Sequence, residues 1–204
     1  MQKKILYLDL CGTIVKENTT FDFLYKFGYI NKNSVSYILL RLLYKIIRVD
    51  LIRKYAINSI AGVGYDILIK QSREYISMCS INSQVMTLIN EYRRNGYEII
   101  IVSASLDFIV SGFAEMLNVD QYHGTELEYI DKICTGIIVN DLLDAKEKVV
   151  RAPSCKDHYV MISDNFGDMN VMRGMSESIP VVYNYKQKKF WLENGFTSLL
   201  EVNK

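Results

Sequence analysis

Short unbroken apolar runs stand at residues 5–8, 99–102 and 159–162, the second inside a strand expected over 97–102. Each is closed on its C-terminal side by polar residues: Asp9, then Ser103, then Ser163, Asp164 and Asn165. Runs of that length without polar alternation read as strands buried on both faces of a sheet. Between the first two, residues 19–80 keep helical spacing and show no convincing strand. Phe21, Leu24 and Tyr25 share one face, Ile38, Leu39, Leu42, Leu43 and Ile46 another, and a further helix is expected over 66–78. Asn82 or Ser83 caps the next helix, whose inner face is Val85, Leu88, Ile89 and Tyr92 and whose stop is Asn95-Gly96. A helix carrying Leu106, Ile109, Val110, Phe113 and Leu117 follows Ser103. The pattern then alternates over 126–139 about Asp131-Lys132, which predicts a β-hairpin. A helix with Met169, Met172 and Met175 and a strand over 180–183 complete the expectation.

Strands alternating with helices imply an α/β fold with a mainly parallel sheet. Its ligand edge lies at the carboxyl ends of the strands, so Asp9, Ser103 and Asp164 are expected to converge there. Composition narrows the class. The 204 residues are half apolar and 23% charged, enough for a sizeable core. No apolar run reaches the ~18 residues of a membrane span, because Arg41, Lys45 and Arg48 interrupt the greasy stretch at 35–49. The first strand meets an acid after four apolar residues, too few for a signal peptide. Four cysteines without a CxxC pair, and two histidines, argue against zinc and disulfide frameworks and for reduced thiols in the cytoplasm. Residues 19–80 carry nine bases against four acids, while 81–204 carry twelve against seventeen. That polarity falls short of a nucleic-acid-binding stripe, so no nucleic acid is expected as a partner.

Taken singly, the polar residues have bland readings. An Asp at a strand end is commonly a turn residue or cap, a Ser after a strand an N-cap, and acids such as Asp164 and Asp168 suit a first helical turn. Their order and spacing together resemble the haloacid dehalogenase superfamily, and within it the phosphoserine-phosphatase-like branch with a helical cap. ILYLDLCGT resembles the nucleophile motif, IIIVSAS the second motif, AKEKVVRA the lysine motif and MISDNFGDMNVM the acidic motif. The stretch HGTELEYIDKICTGIIVN resembles the hairpin of that branch.

The resemblance implies a Rossmann-like three-layer sandwich over 1–18 and 81–204, with an inserted all-α cap over 19–80. It implies a Mg²⁺-dependent phosphomonoester hydrolase acting on a small phosphorylated metabolite. In that reading Asp9 attacks phosphorus, and Ser103 and Gly12 hold the phosphate. Mg²⁺ rests on Asp9, the main-chain carbonyl of Cys11, and Asp164, with Asp168 as ligand or supporting partner. For the lysine that neutralises nucleophile and phosphate, Lys148 aligns better with the motif and Lys146 is the competitor. Cys11 stands where most of these phosphatases have a second Asp as general acid and base. A phosphotransferase and a weakly active phospholigand- or protein-binding module therefore remain as alternatives. Asn18 falls near the place where phosphoserine phosphatases carry the acid for the substrate amine, which counts against phosphoserine itself. The apolar stretch at 35–49 is open to three readings: cap core, homodimer face, or contact with a membrane or lipid-like phosphate, the last least favoured.

Overall fold

The computed structural model describes residues 2–31, 33, 51–119 and 121–202. The helix expected around Ile38–Ile46 and the bases Arg41, Lys45 and Arg48 lie outside these residues, as does the apolar stretch read as a dimer or membrane face.

The expected alternation is present. Among the described residues, β1 (Lys4–Leu8) leads to three helices, α1 (Thr19–Lys26), α2 (Leu51–Asn58) and α3 (Tyr65–Ser77), and then to α4 (Ser83–Arg94). β2 (Glu98–Leu106), α5 (Asp107–Leu117), β3 (Gln121–Ile130) and β4 (Ile133–Asn140) follow. A 3₁₀ turn at Lys146–Lys148 precedes β5 (His158–Ser163), and α6 (Met169–Arg173) leads to β6 (Glu177–Val182). Two further elements, α7 (Tyr185–Glu193) and β7 (Leu200–Glu201), were not expected from the pattern.

The strands form one seven-stranded sheet in the order β4-β3-β2-β1-β5-β6-β7, parallel except for the β3–β4 hairpin. The fold is the α/β, mainly parallel arrangement that the pattern implied and the Rossmann-like sandwich that the resemblance implied. β1 sits at the centre, between β2 and β5. Because successive strand residues face opposite sides, β1 divides its side chains between two cores. Leu6 and Leu8 pack with Ile99, Ile101, Val160 and Ile162 against α4, α5 and the helices that follow β1. Ile5 and Tyr7 pack with Ile100, Val102 and Met161 under Trp191 of α7. Phe23, Ala56, Ile57, Leu68 and Tyr75 of the helices between β1 and α4 belong to the same apolar cluster as the first face. That helical segment therefore shares its core with the sheet.

Local chemistry explains the boundaries. Asn82 caps α4 by accepting from Gln84 N and Val85 N, and Gly96 leaves that helix at φ +78°. Asp131 and Lys132 both take left-handed φ, the two-residue turn that matches strand twist. The hairpin does not stand apart. β3 runs parallel to β2, and its turn end bonds to the loop before α3 through Gly62 N to Cys134 O, Cys134 N to Val63 O and Tyr65 N to Lys132 O. Among the described residues, no helix is long and apolar enough to cross a membrane.

One titration follows from the packing. Burial, opposed by the Phe108 N–H and reinforced by Glu126, pushes the Asp107 carboxyl at the start of α5 up to about 6. An unfolded Asp titrates near ~3.9, so the folded chain holds this proton more tightly. The contribution is then full below the unfolded value and is lost as pH rises towards 6. Asp107→Asn should therefore flatten the fall in melting temperature between pH 4 and pH 7. An unchanged slope in thermal denaturation would contradict the assignment.

Candidate active site

Asp9, the first residue beyond β1, is fixed by its N–H to Ile162 O at 3.0 Å, so the ends of β1 and β5 lie side by side. The chain then turns sharply. Gly12 takes φ +71°, and a Cβ there would lie 2.1 Å from Oδ2 of Asp164, so only glycine admits both the turn and the acid. Thr13 Oγ1 accepts from Asp164 N at 3.1 Å, and Tyr183 donates to Gly12 O at 2.9 Å. Two loops distant in sequence are thereby locked together.

β2 supplies the third part. Its register against β3 shifts between Val102 and Leu106, so Ser103, Ala104 and Ser105 leave the ladder as a bulge over the strand ends. Ser103 is buried, and its Oγ accepts the N–H of Ser105 at 3.2 Å. Its own hydrogen is then free to donate elsewhere.

The lysine lies where the two carboxylates meet. Lys146 is 2% exposed, and its Nζ is 2.9 Å from Asp9 Oδ1 and 2.6 Å from Asp168 Oδ2. Lys148, preferred on sequence, is exposed, whereas both ion pairs to these acids are made by Lys146. The correction has a simple origin. Both residues sit in one 3₁₀ turn, where three residues complete a revolution, so positions two apart point in different directions. Ser163 completes the arrangement, donating to Asp168 Oδ2 at 2.5 Å with Asp9 Oδ2 3.3 Å away.

Burial alone would lower the Lys146 pKa, but Asp9 and Asp168 outweigh it and hold the ammonium above its ordinary range. Burial pushes Asp9 up against the pull of Lys146, and Asp168 adds to the rise. Asp164 is pushed up to about 7, first by burial and then by Asp9. Lys146 thus faces three acids. Among the described residues, no three His, Cys, Asp or Glu side chains gather as a metal cage. Asp168 is turned to Lys146 and Ser163, which leaves Asp9, Asp164 and main-chain oxygen. Two carboxylates with waters and substrate form the sparse donor set that Mg²⁺ commonly uses, so these residues fit that cation.

Cys11 is not poised as an acid or base. Its Sγ lies 3.1 Å from Thr19 Oγ1, and burial, with Asp9 nearby, pushes the thiol up to about 11. Asp9, Cys11, Gly12, Ser103, Lys146 and Asp164 all line one cavity of about 450 Å³. Asp168 does not line it and stands behind Lys146. Asn18 lines the cavity but also caps α1 through Phe21 N. The sequence pattern did not single out Thr20, Ser105, Phe166 or Gln187 as part of this lining. Gln187 lies on the unexpected α7; Arg53, expected only in aggregate with Arg41, Lys45, Arg48 and Lys54 to attract an anionic substrate, is part of the wall as well.

The chain matches the model of the haloacid dehalogenase-like hydrolases over residues 7–173 and belongs to that family. A search of curated proteins finds no match. Among solved structures, a protein of unknown function from Bordetella pertussis Tohama I is similar at 16% identity and a TM-score of 0.77, covering 98% of this chain and 99% of that one. A phosphoserine phosphatase in a phospho-aspartyl intermediate analogue form is 17% identical at 0.66, covering 93% and 91%. A cytosolic 5'-nucleotidase IIIB bound to cytidine is 15% identical at 0.64, covering 98% and 80%. At these identities the likeness is one of fold.

The two lysines make a direct test. Lys146→Met leaves buried carboxylates without their cation, which costs roughly 3–5 kcal/mol of stability, and should abolish turnover. Lys148→Met should leave both melting temperature and turnover at the wild-type level. The reverse ranking in a phosphatase assay would return the role to Lys148.

Proposed function

We propose that the chain is a Mg²⁺-dependent phosphomonoester hydrolase that works through an aspartyl-phosphate on Asp9, with residues 19–80 as its cap. The observation that carries this reading is Lys146 buried between Asp9 and Asp168, at a cavity that Ser103 and Asp164 also line. An in-line nucleophile needs its charge balanced before it can approach a phosphate dianion, and that arrangement supplies the balance.

In this reading a carboxylate oxygen of Asp9 forms the new bond to phosphorus as the bond to the leaving oxygen breaks. The leaving oxygen takes up a proton. Water then attacks phosphorus, the bond to Asp9 breaks, and inorganic phosphate departs. Lys146 faces the negative charge throughout, and the Ser103 hydroxyl donates to a phosphate oxygen. Asp168 and Ser163 hold Lys146 and Asp9 in place. Asp9, Asp164 and the carbonyl of Cys11 would hold Mg²⁺, which when bound offsets charge on the nucleophile and the phosphate. The substrate is a small phosphorylated molecule, and the family resemblance extends no further than that.

The thiol at position 11 favours a second reading of the same site. General acid–base help is typically worth ~10²–10⁴ in rate, and a neutral thiol with a raised pKa supplies little of it. A slow second step lengthens the life of the aspartyl-phosphate and gives an alcohol acceptor time to replace water, which would make the chain a phosphotransferase.

Hydrolysis of p-nitrophenyl phosphate tests the main reading, because its leaving group needs little protonation. Turnover should require Mg²⁺ and vanish in Asp9→Asn; Mg²⁺-independent turnover, or an active Asp9→Asn, would overturn it. With an alkyl phosphate such as glycerol phosphate, Cys11→Asp should raise the rate by at least about tenfold. A rate that stays level or falls would show that the thiol is not the limit.

A further inference from the structure

Arg53 stands out among the described residues as a guanidinium only 5% exposed in the wall of the catalytic cavity. A buried guanidinium is tolerated only when its donors are matched by good acceptors. Nη1 lies 2.7 Å from Asp141 Oδ2, just beyond β4. Nη2 donates to Thr125 Oγ1 at 2.9 Å and to the main-chain carbonyl of Ala104, also at 2.9 Å. Thr125 Oγ1 is itself 3.1 Å from that carbonyl.

The carbonyl of Ala104 is one end of a single peptide unit. The other end is the N–H of Ser105, which donates to Ser103 Oγ. The guanidinium of α2 and the hydroxyl of Ser103 are therefore linked through one rigid, polar plane. A charge-assisted bond at the oxygen end fixes the plane and polarises it, strengthening the N–H at the other end. These residues lie in the β2 bulge, where the register against β3 shifts, so side chains rather than the regular ladder hold the peptide there. The far side of the bulge is gripped from α1, where Thr19 Oγ1 is 2.5 Å and Thr20 Oγ1 3.4 Å from Ser105 Oγ.

We propose that Arg53 is a positioning residue for the phosphate-binding bulge, acting through the Ala104–Ser105 peptide to aim the Ser103 hydroxyl at the substrate's phosphate. The inference rests on the phosphatase reading above. It gives the helices after β1 a part in phosphate binding itself, besides any contact with the leaving group. A guanidinium that only tied α2 to the hairpin would affect melting, but not the affinity for a phosphate mimic.

The experiment uses the full chain with Mg²⁺, p-nitrophenyl phosphate as substrate and orthovanadate as inhibitor. Arg53→Ala should lower kcat/KM and weaken vanadate inhibition by about 10- to 100-fold each, the usual scale for a lost supporting contact. The Mg²⁺ concentration for half-maximal rate should not move, and added guanidinium chloride at tens of millimolar should restore part of both. Arg53→Lys keeps the charge but not the fork, and should show a smaller loss of the same kind. Arg73→Ala breaks the exposed ion pair from α3 to Glu115 of α5 and should leave vanadate inhibition at the wild-type level. Wild-type vanadate inhibition and turnover in a folded Arg53→Ala would overturn the inference while leaving the phosphatase reading intact. Should Arg53→Ala not fold, Arg53→Lys decides: weakened vanadate inhibition supports the inference, and wild-type inhibition overturns it. A wild-type protein without Mg²⁺-dependent turnover would instead remove the phosphatase reading, and this inference with it.

Discussion

A lysine buried between two aspartates is the constraint on which the rest of this edge depends. Taking an ammonium and its partners out of water is expensive, and swapping such a group for apolar residues often leaves stability unchanged or improved. Lys146, Asp9 and Asp168 are thus poorly explained as a device for stability. In the proposed phosphatase reading they are charge fixed in advance, so that little has to reorganise when a dianion arrives. The rise of Asp164 to about 7 belongs to the same balance: burial and Asp9 push it up while Lys146 pulls the other way.

The fold serves that constraint at several removes. Parallel pairing of β1 with β5 brings Asp9 and Asp164 to one edge from opposite ends of the sequence. Glycine at position 12 lets the first loop press against Asp164, and the bulge in β2 lifts Ser103 out of the ladder. The helices between β1 and α4 share the sheet's apolar core and brace the bulge, so the wall of the cavity and the bulge that carries Ser103 are tied together.

Much of this was legible in the chain because it rests on short-range chemistry. The buried runs of β1, β2 and β5, the Asn82 cap, the Asp131-Lys132 turn and the strand-end placement of Asp9, Ser103 and Asp164 follow from periodicity, capping and turn rules. Lys146 was legible only as one of two lysines, since their difference lies in which way a single 3₁₀ turn faces. α7 was hidden by its polarity, with Lys186, Lys188 and Lys189 masking the one side that buries Trp191. Arg53 was legible only as one cap base among several, for another reason. Its placement depends on contacts with Ala104, Thr125 and Asp141, far along the chain, and no local pattern records them.

The most direct measurement is to capture the covalent intermediate. Enzyme turning over p-nitrophenyl phosphate with Mg²⁺ would be treated with hydroxylamine, which converts an acyl phosphate into a hydroxamate, and its peptides mapped by mass spectrometry. The account predicts a hydroxamate on Asp9 and nowhere else, absent without substrate. Turnover with no modification at Asp9, or with the modification at another residue, would contradict it.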